Sequence, residues 1–236
     1  MSSSAPASGD APASLRQNLE KLRELRGREA HGHTPPRLVE VKAWQAGRLA
    51  RTYADLAANP RYAKATSFFL DDLYGAKDFS GRDQAMLRIY PVMVRTLPTS
   101  AVETAALAIE VDALSEELDR RVAACIESGP VTEASYGRAY REAGTRAQRQ
   151  RQIELIDEVG KRLDVLVVKP FIYATLKLMR GPARLAGLDD LQVFLEHGFE
   201  AFRHMGGAVE FLATIAEREN RILSRLFSGH PSPFSD

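Results

Sequence analysis

Cys125 is the only cysteine in the 236-residue chain. One thiol cannot close an intramolecular disulfide, and a thiolate-rich zinc or iron–sulfur site is excluded for the same reason. Charge of one sign is also missing. Lys and Arg total 32 against 31 Asp and Glu, a formal charge of +1, so no global field recruits nucleic acid or an anionic membrane. Any charge-driven partner has to use a local patch. No apolar run reaches the roughly 20 residues that cross a bilayer. The most hydrophobic stretch, Val165–Leu176, is shorter and contains Lys169; it reads as a buried helix, not a membrane span. Asn-Gly and Asp-Gly hairpin signals are absent, and apolar–polar alternation is weak. So are a Gly-x-Gly-x-x-Gly loop, a Walker motif, a His-Glu-x-x-His helix and a Gly-x-Ser-x-Gly elbow. Ser2–Ser14 lacks the apolar centre of a secretory signal and reads as a disordered tail. A reducing, cytoplasmic location is expected.

Helical spacing fills the remainder. Leu15, Leu19, Leu22 and Leu25 recur every three or four residues and predict a short amphipathic helix ending near Gly27. A second helix is expected over Arg37–Ala58 and a third from Asn59 and Pro60 to Gly75. The fourth starts at Ser80 and Asp83, which have capping-box spacing with Asp in place of Glu or Gln, and is bent by Pro91. Ser100–Ser128 predicts the longest helix. The basic stretch Arg138–Arg151 leads into another, kinked at Pro170, and two more cover Asp189–Met205 and Ala208–Phe227, separated by Gly206 and Gly207. The expected fold is all-α: an irregular single-domain bundle of about eight or nine helices, two of them proline-kinked. Residues 1–14 and 229–236 are expected to be disordered tails around a helical domain at 15–228, with its core at 60–227.

Charges and aromatics out of phase with these stripes supply the candidate sites. Glu219 lies in the middle of the Leu212, Ile215, Ile222, Leu223 and Leu226 stripe, so its carboxylate needs an Arg, Lys, His or hydroxyl partner or a raised pKa. Lys169 stands among Val165–Val168 and Phe171–Tyr173, and the two charges together form a candidate buried polar site. A second candidate is the corner pocket of Asp72, Tyr74, Asp78, Arg82 and Asp83; the competing account is that Asp78, Arg82 and Asp83 cap helix ends and pair with one another. Trp44 and Phe68 project off the stripes of their helices, as a candidate interface or as surface covered by the first helix.

Other groups read as structural. His197 and His204, with Glu196 and Glu200, lie opposite the Leu191, Phe194, Leu195, Phe202 and Met205 stripe, which predicts a solvated face. Neither histidine is placed to hold haem, and a di-iron bundle would need Glu-x-x-His pairs that the sequence lacks. Glu103, Glu110 and Glu117 recur every seven residues and predict interhelical salt bridges. His31 and His33 are incidental loop residues. The Arg138–Arg151 series, interrupted by Glu142, predicts a solvated or subunit-facing helix. No metal and no cofactor is implied.

FFLDDLYGAKDFSGRD at Phe68–Asp83 and LMRGPARLAGLDDLQVFLEHGFEAFRHMGG carry a resemblance. Together they resemble an uncharacterised family of bacterial all-helical proteins, a domain of unknown function with an FFL-x-x-LYG…DFS-x-RD motif. The resemblance spans about Pro60 to Phe227. It implies a bacterial, cytoplasmic protein and brings no activity with it. Two functional readings therefore stand. The first is a non-enzymatic interaction or regulatory module, acting as a homo-oligomer or on a protein partner and not on nucleic acid. The alternative is a small-ligand-binding or catalytic bundle with a buried Glu/Lys or Asp/Arg/Tyr polar site.

Overall fold

The computed structural model describes residues 11–27, 34–73 and 80–235, and of residues 80–83 the backbone alone. Among the described residues there are α-helices and one π-helical segment, with no strand. The elements are α1 (Ala11–Gly27), α2 (Pro36–Thr52), α3 (Ala54–Ala58), α4 (Ala63–Ser67), a π-helical segment (Phe68–Leu73), α5 (Ser80–Thr96) and α6 (Thr99–Cys125). They continue with α7 (Glu133–Ala143), α8 (Arg146–Val167), α9 (Pro170–Leu178), α10 (Arg180–Leu185), α11 (Asp189–Met205) and α12 (Val209–Phe227).

The helix count exceeds the eight or nine expected, and the expected helical segments are interrupted at three points. Tyr53, with φ −113° and ψ 20°, interrupts the segment read as one helix and separates α2 from α3. Gly144 and Thr145 divide the basic stretch into α7 and α8. Pro170 takes the first position of α9, where its missing N–H costs nothing; it starts a helix instead of kinking one. Pro91 does sit inside α5. The longest helix, α6, stops at Cys125, short of Ser128.

Packing starts earlier in the chain than expected. Leu15, Leu19 and Leu22 of α1 are completely buried against Ala85 and Met86 of α5 and Val102, Ala106, Ile109 and Ala113 of α6. The core therefore begins at α1, and residues 11–14, read as tail, are its first turn, with Pro12 accepting a hydrogen bond from Tyr90 Oη at 2.8 Å. A second cluster joins α2, α3, α4 and the π-helical segment to α11 and α12. Two glycines permit its close approaches. A Cβ on Gly160 of α8 would lie 2.4 Å from Leu212 of α12, and one on Gly198 of α11 would lie 2.7 Å from the Phe68 ring.

A third cluster packs Val41 of α2, Val122 of α6 and Tyr136 of α7. Trp44 is part of it: it stacks on Tyr136 at 4.2 Å between ring centroids and meets Phe234 edge-on at 5.4 Å. The segment after Ser228, read as a disordered tail, thus returns through buried Pro233 to the helix surface. The stretch Val165–Leu176 also differs from its reading as a buried helix. No residue of α9 is fully buried, and Phe171 and Leu178 of α9 are exposed together with Val165 and Val168 before it.

Candidate functional site

Helices α2, α6, α7, α8 and α12 present one face each to a common interior space, which Leu56 of α3 and Thr66 of α4 also line. On α8, Arg149, Gln152, Ile153 and Ile156 follow the i, i+3, i+4, i+7 spacing of one helical stripe, and all four line a cavity of about 80 Å³. Gln45, Arg48 and Leu49 of α2, Ser115 and Asp119 of α6, Tyr140 of α7 and Phe211, Ile215 and Glu219 of α12 close it, and Phe69 and Leu70 of the π-helical segment form an apolar wall. That volume holds a few waters or a small organic molecule, since one water needs about 10–15 Å³ by the same measure.

The phase of α8 is fixed at its start. Thr145 Oγ1 accepts the Gln148 backbone N–H at 3.2 Å, while Gln148 Oε1 accepts that of Thr145 at 3.0 Å. This reciprocal cap satisfies two donors of the open helix end. Arg149, one residue further, is turned inward and is 2% exposed. Its guanidinium lies 3.9 Å from the centroid of the Tyr140 ring. Among the described residues, its Nε and Nη2 are buried without any hydrogen-bond acceptor.

Across the cavity the charges are satisfied. Arg48 donates through Nη1 and Nη2 to Glu219 at 2.5 and 3.2 Å, and Tyr53 Oη donates to the same carboxylate at 2.6 Å. Burial disfavours the Arg48 cation, but Glu219 outweighs it and holds its pKa above the ordinary value. Gln152 donates to Ser115 Oγ at 2.7 Å. Asp119 is different. Burial pushes its carboxyl up to about 6 despite the opposing charge of Arg149. Burial likewise pushes the Tyr140 phenol up to about 12 and raises that of Tyr136, so both phenols stay protonated.

The chemistry on offer is therefore asymmetric. Among the described residues, two parallel N–H donors from Arg149 have no acceptor, and the Asp119 carboxyl, raised to about 6, shares their space. Nε and Nη2 are one edge of the guanidinium fork, which matches two oxygens of a planar carboxylate. Among the described residues, no group of three or more His, Cys, Asp or Glu converges as for a metal.

The family model for a domain of unknown function, DUF8198, matches residues 24–233. The chain belongs to the DUF8198 family. Neither a curated protein nor a solved structure matches it. The match spans every wall of the cavity in this DUF8198 chain, from α2 to α12.

The residues singled out in the sequence are scattered by the DUF8198 fold. Glu219 lines the cavity in its pair with Arg48 and Tyr53. Lys169, at the N-terminal cap of α9, is not among the cavity residues, so the suggested Glu219–Lys169 site does not form. Asp72 lies 3.4 Å from exposed His197. Tyr74 and Asp78 lie outside the described residues, as do the side chains of Arg82 and Asp83. His204 is exposed, 3.1 Å from the Pro60 carbonyl.

Phe68 is 6% exposed and packs against Phe194 and Gly198 of α11, which corrects its outward projection. Trp44 is packed inside the chain as described, under α7 and Phe234, not under α1. On α11 the expected faces also shift: Leu195 is exposed, whereas Glu196 is buried, held by Arg180 and by Gln192 at 2.7 Å. Those bonds, Arg180 first, hold its carboxyl down at about 2.

The residues missed are Arg149, Asp119, Tyr140 and Arg48. Arg149 sits within a basic stretch, yet it precedes Ile153 and Ile156 by four and seven residues. A charge in phase with an apolar stripe was the available signal, the same one that marks Glu219.

Proposed function

We propose that this protein is a non-enzymatic binding module that holds a small monocarboxylate inside the α2–α6–α8–α12 cavity, with Arg149 as the anion receptor. The observation that carries the reading is the Arg149 edge: two buried N–H donors beside open space, without an acceptor. Leaving such donors unmade costs about 1–3 kcal/mol, a cost that a bound carboxylate removes. The walls favour a carboxylate with a short hydrocarbon tail over inorganic phosphate, because Leu49, Ile153, Phe211 and Ile215 flank the polar groups. The residues first offered as a protein interface, Trp44 and Phe68, are engaged internally, which weighs against the interaction reading that rested on them.

Calorimetric titration and thermal shift with formate, acetate, propionate, lactate, pyruvate and phosphate test this. A carboxylate at 100 times its Kd is expected to stabilise the fold by about 2.7 kcal/mol, and Arg149→Met is expected to abolish the effect. A wild-type protein indifferent to the whole panel, with ordered water on both Arg149 nitrogens in an experimental structure, would sink the proposal.

A further inference from the structure

A separate observation concerns the outside of the molecule. On α9, Ile172, Tyr173 and Leu176 face the core, while Phe171, Ala174, Thr175 and Leu178 follow the i, i+3, i+4, i+7 spacing and are all exposed. Val168 before the helix, 74% exposed, and Leu185 of α10, 93% exposed, add apolar side chains on the adjoining segments. Single exposed apolar residues are ordinary, whereas a continuous run of them over adjacent elements marks a contact surface.

The charges around the stripe say what kind of contact. From Val165 to Leu188 the chain carries Lys169, Lys177, Arg180 and Arg184 and no acidic residue. Arg180 is held by Glu196, and Lys177 lies 4.4 Å from the Tyr173 ring. On the neighbouring α11, Glu200 accepts from Tyr173 Oη, and the first turn of that helix carries exposed Asp189 and Asp190. The chain as a whole has almost no net charge, so these four cations form a local patch, bounded in sequence by Asp164 before it and by Asp189 and Asp190 after it.

We infer that the outer face of α9, with the end of α8 and with α10, docks onto an anionic lipid surface. Apolar side chains flanked by long cations are the pattern of helices that lie in a membrane interface, and basic side chains near the surface are drawn by acidic headgroups. A second copy of the chain fits less well: a twofold interface would set this patch against itself and bring cations together. No helix among the described residues is long and apolar enough to span, so the contact is peripheral.

Co-sedimentation of the full chain with vesicles tests the assignment. Vesicles of phosphatidylcholine with one part in three phosphatidylglycerol are expected to pellet about tenfold more protein than phosphatidylcholine alone, and salt is expected to weaken this. Phe171→Asp combined with Leu178→Asp should return the protein to the supernatant with its helical circular dichroism intact. Lys177→Glu with Arg184→Glu should do the same, and it carries the test should the first variant misfold. Equal, salt-insensitive binding to both vesicle types overturns the anionic assignment. So does a wild type that ignores both, including one that is a dimer in light scattering and becomes monomeric in the Phe171→Asp, Leu178→Asp variant.

Discussion

Arg149 and Asp119 share a cavity yet make opposite demands on it. Arg149 is a permanent cation with two unmet donors, so Arg149→Met is expected to leave stability unchanged or raise it by about 1 kcal/mol in urea denaturation while removing ligand binding. Asp119 is held neutral more easily than in water. Its folded pKa of about 6 lies above the ordinary 3.8, so the fold binds the proton more tightly than the unfolded chain does. The stabilising contribution is complete below pH 3.8, declines as pH rises toward 6, and is absent above that. The span corresponds to about 3 kcal/mol at most. Asp119→Asn should therefore gain stability at pH 7 and flatten the stability profile between about pH 4 and 6. Glu196 acts in the other direction, because its depressed pKa stabilises the fold above about pH 4.5 and is lost as the pH falls toward 2.

Elements fail to follow their sequence patterns where they are packed on more than one side. The stripes of α1 and α12 are visible in the spacing of their leucines because each buries one main face, whereas α6 packs against α1, α2, α7 and α8 on several sides. The π-helical segment departs from that simplicity. Its i→i+5 bonding advances side chains differently from an α-helix, and Phe68 and Phe69 serve two neighbours, α11 and α12. A projection at the α-helical angle could place only one of them inside. Phe68→Ala is accordingly expected to cost about 3–5 kcal/mol in chemical denaturation, where a surface anchor would cost almost nothing. Glu196 was illegible for another reason: its partner Arg180 lies on a different helix, at the start of α10. The cavity was half legible on the same grounds. Glu219 stands in a clean apolar stripe, whereas Arg149 is camouflaged by the arginines around it, and nothing local reveals that several other helices leave a space in front of it.

Across the whole molecule, near-neutrality is reached by pairing charges between elements distant in sequence. Glu116 of α6 is 2% exposed and meets Arg26 of α1 at 3.0 Å, Lys42 of α2 at 2.7 Å and Arg120 of its own helix at 2.9 Å. Burial works against its ionisation, and the three cations overcome this and keep the pKa below the ordinary value. Glu103 and Glu110 bind Arg162 and Arg151 of α8, and Glu117 binds Lys21, so the seven-residue acidic row joins α6 to two partners. Glu116→Ala is expected to destabilise the fold by about 3–5 kcal/mol, because it removes the buried acceptor shared by three cations, although Arg26 keeps its pair with Asp112. The loss should persist in high salt, unlike that of an exposed pair.

Trp44 is the sole tryptophan of the chain, and Phe234 lies against its ring. The last turns of the polypeptide therefore have a built-in optical gauge. Trimming the chain after Ser232 should shift the tryptophan emission to the red and open it to iodide quenching while the helical circular dichroism stays level, so that docking of the C-terminal segment can be followed apart from unfolding.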